Sequence, residues 1–194
     1  MEITSQMIKD LREKTGISVM QCKKSLEEAG GDMDKALIIL KKKRSEAADK
    51  KADREIGAGA VGSYVHNTNE VASLVLLSCE TDFVSKNEEF VQLANDIAMH
   101  VSAMDPKYIA KEELDESMIE KAKEVFADEV NSKPEEMREK IMEGKLASYF
   151  KDQILLEQPF VKNSESTIGE MVTGAVQKFG EKVEVTKISR VSVK

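Results

Sequence analysis

Thr81-Asp82-Phe83-Val84 sets an acid beside an aromatic where an aliphatic run gives way to helical spacing, a pairing suited to insertion into a partner rather than to bond-making. Upstream, Val71 to Cys79 has the aliphatic content of a buried strand, and downstream Phe90, Leu93, Ile97 and Val101 recur at helical spacing. The tetrapeptide therefore lies on the connection between a rigid strand and a rigid helix, where the scaffold fixes the geometry and the tip stays accessible. Two arrangements fit this spacing equally. Either Phe83 closes the core and Asp82 caps the helix, or the pair projects as a functional tip.

Other residues able to do chemistry are sparse. No paired carboxylates, nucleophile with base, or phosphate loop stands in a context that supports catalysis. His66 and His100 lack neighbouring ligands, and Cys22 and Cys79 form no CxxC pair, so no bound metal and two free, buried thiols are expected. Gly57-Ala58-Gly59-Ala60-Val61-Gly62 matches the letters of the dinucleotide fingerprint, which needs a strand before it and a helix after it to aim amides at a pyrophosphate. Here a charged helix precedes and the strand-like Ala60 to His66 follows. The glycines are assigned instead to a hinge between modules, and no cofactor is expected.

Composition bounds the remaining possibilities. The 194 residues are 41% hydrophobic and 34% charged with only 5% aromatic and no Trp, a balance that favours helices with solvated faces around a real core. A net charge of −7 argues against nucleic acid as the main ligand. No apolar run approaches the roughly 18 residues that span a bilayer, and the N-terminal stretch mixes acids and bases unlike a signal peptide. A cytoplasmic protein with no membrane contact is expected.

The elements that must position these residues are clearly punctuated. Thr4, Ser18 and Asp32 offer N-caps for three successive helices, and Gly16 and Gly30-Gly31 offer stops. Met7, Ile8 and Leu11 form the stripe of the first, Met20, Cys22 and Leu26 are partly inward on the second, and Met33, Ala36, Leu37 and Leu40 line the third. So small a bundle is marginal by itself. Lys41 to Glu55 continues the last helix as an exposed linker, which sets a boundary between residues 1–55 and 56–194. Asn67 to Glu70 has turn chemistry between two strand-like runs, predicting an antiparallel hairpin. After the helix from about Asn87 to Ser102, Met118, Ala122, Val125, Phe126 and Val130 mark an acidic amphipathic helix, and Met137, Ile141, Met142 and Leu146 mark a second that begins at Pro134. These two predict a helical hairpin. Gln158 to Val161 is extended, Thr167 caps a last helix through Val176, and Lys182 to Val193 alternates as a third strand. The fold class is α+β.

Taken in order, these segments resemble elongation factor Ts of the bacterial type. Leu11-Arg12-Glu13-Lys14-Thr15-Gly16 with Met20-Gln21-Cys22-Lys23-Lys24-Ser25-Leu26 is similar to the family's first signature, and Thr81-Asp82-Phe83-Val84 to its second. Ala98-Met99-His100-Val101, Pro106 with Tyr108, Glu143-Gly144-Lys145-Leu146 and Leu155 to Val161 follow the family pattern. Ser18 and Val19 depart from the Gly-Met usual before Met20, and Gln21 stands where an acid is common. The length resembles the short class, which carries one copy of the core.

The resemblance implies a ubiquitin-associated-like three-helix module followed by an α+β dimerisation core with a three-stranded antiparallel sheet and a helical hairpin. It implies a translation elongation factor that exchanges guanine nucleotide on the GTPase elongation factor Tu without covalent chemistry, working as a homodimer. Carried onto this sequence, Phe83 is a wedge that enters the GTPase near its Mg²⁺ and phosphate site, Asp82 a polar contact, and Thr81 and Val84 the residues that shape the turn. Met20 and Lys23 match contacts of the small module, and His66 resembles a partner-contacting histidine at a strand end. The competing expectation is a non-enzymatic adaptor whose helical module binds other proteins and whose core merely dimerises.

Overall fold

Local capping chemistry builds the first three helices. In the computed structural model, which describes residues 3–132 and 134–193, Thr4 Oγ1 accepts the Met7 N–H to start α1 (Ser5–Thr15), and Gly16 ends it in the left-handed region at φ 68°. Ser18 caps α2 (Val19–Glu28), and the Asp32 carboxylate accepts the N–H groups of Asp34 and Lys35 at 3.0 Å to start α3 (Met33–Asp49). Leu11, Ile17, Cys22, Leu26, Ala36 and Leu40 are buried together as the core of this bundle.

Met20 departs from expectation. It precedes Cys22 by two residues, about 200° round the helix, so it stands on the opposite face and is 77% exposed.

Strands β1 (Ala58–Val65) and β2 (Val71–Cys79) pair antiparallel in unbroken register, from Ala58 opposite Cys79 to Val65 opposite Ala72. The one-turn helix α4 (Asp82–Ser85) and the long α5 (Glu88–Met104) follow. α5 lies on the face of β1 and β2 that carries Gly62, Val75 and Leu77, burying Phe90, Ala94, Ile97, Ala98 and Val101. Gly62 is where strand and helix backbones meet, since a Cβ there would stand 2.1 Å from Ala94 O. The glycines thus have a different role from the expected hinge. Gly59 and Gly62 are paired strand residues, and the Gly57 N–H donates to Cys79 O at 3.2 Å; their small size serves close packing.

α6 (Glu116–Asn131) and α7 (Glu135–Lys151) form the helical hairpin, with Phe126 edge-on to Tyr149 at 5.8 Å and Ala122, Phe150 and Ile154 buried beside it. Its two ends are clasped together. The N–H groups of Lys107 and Tyr108 both donate to Gln153 O, and those of Leu155 and Leu156 donate back to Tyr108 O and Ile109 O. Next comes a short hairpin of β3 (Pro159–Phe160) and β4 (Asn163–Thr167) that periodicity did not foretell. Thr167 then opens α8 (Ile168–Phe179) with a reciprocal capping box: its Oγ1 accepts the Glu170 N–H at 3.1 Å, and Glu170 Oε2 accepts the Thr167 N–H at 3.3 Å.

The last strand, β5 (Val183–Ser192), completes a three-stranded sheet of order β1-β2-β5. It runs antiparallel to β2, since the Val193 N–H donates to Glu70 O while Thr186 meets Ser78 at the other end. The architecture is α+β. Contacts divide the chain into one unit that runs to Ile56 and includes Thr173–Val183, and another that comprises Gly57–Val172 and the chain from Glu184 onward.

Candidate partner-binding site

The Thr81 to Val84 segment is held from both sides. Cys79, buried at the end of β2, donates its thiol to Thr81 O at 3.2 Å, and after the turn Asn87 caps α5 by accepting the Glu89 N–H at 2.9 Å. Between them α4 makes one turn, in which the Ser85 and Lys86 N–H groups donate to Thr81 O and Asp82 O. Consecutive residues on a helix point about 100° apart, and the turn uses that separation to sort two apolar neighbours. Val84 is buried, whereas Phe83 is 84% exposed. The core is closed by Val84, so an arrangement in which Phe83 closes it does not occur.

Asp82 is the first residue of α4 and pairs with Lys86 one turn on, Nζ to Oδ2 at 2.6 Å. That hydrogen bond and the ammonium charge hold its carboxyl below the usual carboxylate range. Both side chains are exposed, so solvent screens the pair and a partner can compete for either member. The N-cap position belongs to Thr81, not Asp82.

Met20 and Lys23 sit three apart on one face of α2, where Lys23 forms a loose 3.9 Å pair with Glu27. Val19, next to Met20, is also more than half exposed. His66 is exposed just past β1; its N–H donates to Val71 O at 2.9 Å and its Nδ1 lies 3.3 Å from Tyr64 Oη. The tip follows the far end of β2, so His66 and Phe83 are separated by the length of the sheet, roughly 25 Å at about 3.3 Å per residue. They cannot share one small contact.

His100 is buried and structural. Its Nδ1 accepts the Val161 N–H at 3.2 Å, which leaves Nε2 to donate to Gln158 Oε1 at 2.8 Å. Burial, opposed by the bond to Gln158, lowers its pKa below the ordinary histidine value. Among the described residues no cluster of three or more His, Cys, Asp or Glu is arranged to hold a metal ion, and no helix is long and apolar enough to cross a membrane.

The family model for elongation factor Ts matches residues 6–194. The chain belongs to the elongation factor Ts family. It is 47% identical over 194 residues to an elongation factor Ts from Thermodesulfovibrio yellowstonii, with 100% of this chain and 97% of the relative covered. An elongation factor Ts from Fervidobacterium nodosum is 44% identical, covering 100% and 99%, and one from Desulforamulus reducens is 46% identical, covering 97% and 88%. Membership makes the chain a translation elongation factor. Within this elongation factor Ts chain, sequence reasoning overlooked Lys86 as the partner of Asp82, although its i,i+4 spacing was the available signal. It also overlooked Val19, which adds to the exposed apolar surface at the start of α2.

Proposed function

We propose that this chain is a guanine nucleotide exchange factor that promotes GDP release from elongation factor Tu. The observation that carries the proposal is Phe83, 84% exposed on a turn whose neighbours are anchored. An exposed phenylalanine on a rigid support is a preformed anchor, because burying it against a partner gains area without ordering a loop.

Exchange needs no bond-making by the factor. GDP is held through the phosphate loop and Mg²⁺, so a wedge that displaces that region weakens nucleotide and metal together. A factor that binds the nucleotide-free GTPase better than the loaded one must, by reciprocity, lower nucleotide affinity by the same ratio. Phe83 supplies the wedge and Asp82 a polar contact, with Thr81 and Val84 setting the turn. Met20 and Lys23 give the helical module a second contact on the GTPase, and His66 a further one at the other end of the sheet.

The working unit is a homodimer in the cytoplasm, acting on elongation factor Tu without metal, cofactor, nucleic acid or membrane. Val61, Val65 and Leu74 support this. They share the sheet face opposite α5, and each is more than half exposed. A second copy would cover that apolar surface symmetrically.

The deciding experiment is stopped-flow release of fluorescent GDP from elongation factor Tu with and without the chain. Exchange activity predicts strong acceleration, with the chain acting catalytically. An unchanged rate, with or without binding, would leave only an adaptor.

A further inference from the structure

His100 of α5 and Gln158, just before β3, form a fully buried pair whose proton positions are fixed by what surrounds them. Gln158 Nε2 lies 2.6 Å from Asp152 O, a carbonyl that can only accept, so Gln158 Oε1 must face His100. His100 Nε2 therefore carries the ring proton, and Nδ1 is left bare to accept the Val161 N–H at 3.2 Å. A second ring proton has only Nδ1 to join, where it would point at another donor. Turning the ring over gives no escape, because an imidazolium presents N–H on both nitrogens.

The segment anchored in this way is a pinched loop. The Ile168 N–H donates to Gln158 O at 3.0 Å and closes the ends of the β3–β4 hairpin, while Val161 stands at its turn. Asp96, one turn before His100 on α5, holds Lys162 of the same turn at 2.8 Å. Other charges on the packed elements have partners of their own: Arg190 of β5 meets Ser102 O and Asp105, and Glu170 of α8 accepts the Thr167 N–H. On the α5 face of β1 and β2, Gly62, Ser73, Val75 and Leu77 carry no charge. Burial and Gln158, not a neighbouring charge, set the ring's affinity for a proton.

We propose that His100 is an acid-sensitive latch: a proton taken from solvent onto Nδ1 expels the Val161 N–H and releases the Pro159–Thr167 hairpin from α5, while the β1–β2 pair and its covering helix stay folded. The device is independent of the exchange reading. Among the described residues, the Lys162–Asp96 pair is then the polar tie that still joins the turn to α5, and solvent screens it.

The test follows hydrogen exchange of the full ¹⁵N-labelled chain from pH 7.5 to 5, expressed as protection relative to an unfolded peptide. Latching predicts a ring spectrum with Nδ1 bare at pH 7.5. Below about pH 6.5, the ordinary histidine value, Val161 protection falls about tenfold per pH unit until the hairpin is released. That opening exposes little surface, so dilute urea leaves it unchanged, whereas Val75 and Leu77 stay more protected at every pH and respond to urea. His100→Asn, which keeps an acceptor near the place of Nδ1 but takes up no proton, makes Val161 protection independent of pH. Gln158→Glu, whose carboxylate favours the doubly protonated ring, moves the fall to higher pH. A proton on Nδ1 at pH 7.5, Val161 protection equal to that of Val75 and Leu77, or an unaltered pH dependence in His100→Asn overturns the proposal; the measurements on the unmodified chain decide it even where neither variant folds.

Discussion

Truncating Phe83 to alanine separates folding from partner binding, because the two draw on different parts of the same side chain. With 84% of Phe83 exposed, only about one-sixth of the roughly 1.5–3 kcal/mol available from burying a phenylalanine is realised in the free chain. The truncation therefore costs no more than about 0.5 kcal/mol of stability, a fall in unfolding midpoint of about 2 °C or less for a chain of this size. If elongation factor Tu buries the rest of the ring, the complex loses about 1.2–2.5 kcal/mol, and catalysed GDP release slows roughly 8- to 70-fold. Stopped-flow release at sub-saturating chain concentration reads the second number and thermal unfolding the first. Phe83→Leu, which keeps most of the apolar volume, falls between. Full exchange activity in Phe83→Ala would refute the wedge, and a midpoint drop of more than about 5 °C would show that the ring supports the fold instead.

Two glycines should respond in opposite directions. Gly62→Ala forces a Cβ to within 2.2 Å of the Ala94 carbonyl carbon, so α5 must move and stability falls by about 2 kcal/mol or more. Gly144→Ala, inside α7 with nothing within 4 Å, gains about 0.4–1 kcal/mol; calorimetry checks both. Lowered pKa at His100 means that the unfolded chain takes up a proton near pH 6.5 that the folded chain accepts only at lower pH. That contribution to stability is complete above about pH 6.5 and declines as pH falls toward the folded value, so unfolding midpoints should drop between pH 7 and 5, with a shallower drop in His100→Gln. Val61→Lys puts a charge on the exposed sheet face and should shift sedimentation toward monomer, with the midpoint falling only by what dimerisation contributed; a dimer as tight as before would move the interface elsewhere.

What the chain reveals before folding follows from how local each interaction is. Thr4, Ser18 and Asp32 act on N–H groups two or three residues away, so the helix starts they set are legible from spacing, as is the Thr167 cap of α8. The antiparallel pairing of β1 with β2 is likewise legible, through the turn at Asn67 to Glu70. Gly59 and Gly62 read as a hinge because their reasons for being small are distant in sequence: Gly62 meets the backbone of α5 at Ala94, and Gly59 the backbone of β2 at Leu77. Met20 read as inward from its apolar character, although its two-residue spacing from Cys22 already set it on the far side of the helix. Polar Asn163 to Thr167 gave no alternation to read, being largely exposed. At the tip, Phe83 and Val84 are adjacent and both apolar, so composition could not say which one turns inward; only the single turn of α4 decides it.

The clasp between Tyr108 and Ile154 has an evolutionary consequence. By joining chain positions on either side of the α6–α7 hairpin, it makes the intervening segment a cassette with neighbouring ends. A cassette of that kind can lengthen, shorten or be replaced while the sheet and its covering helix keep their register, since the entropy of closing a loop changes only slowly with its length. Selection can therefore tune that segment separately from the tip.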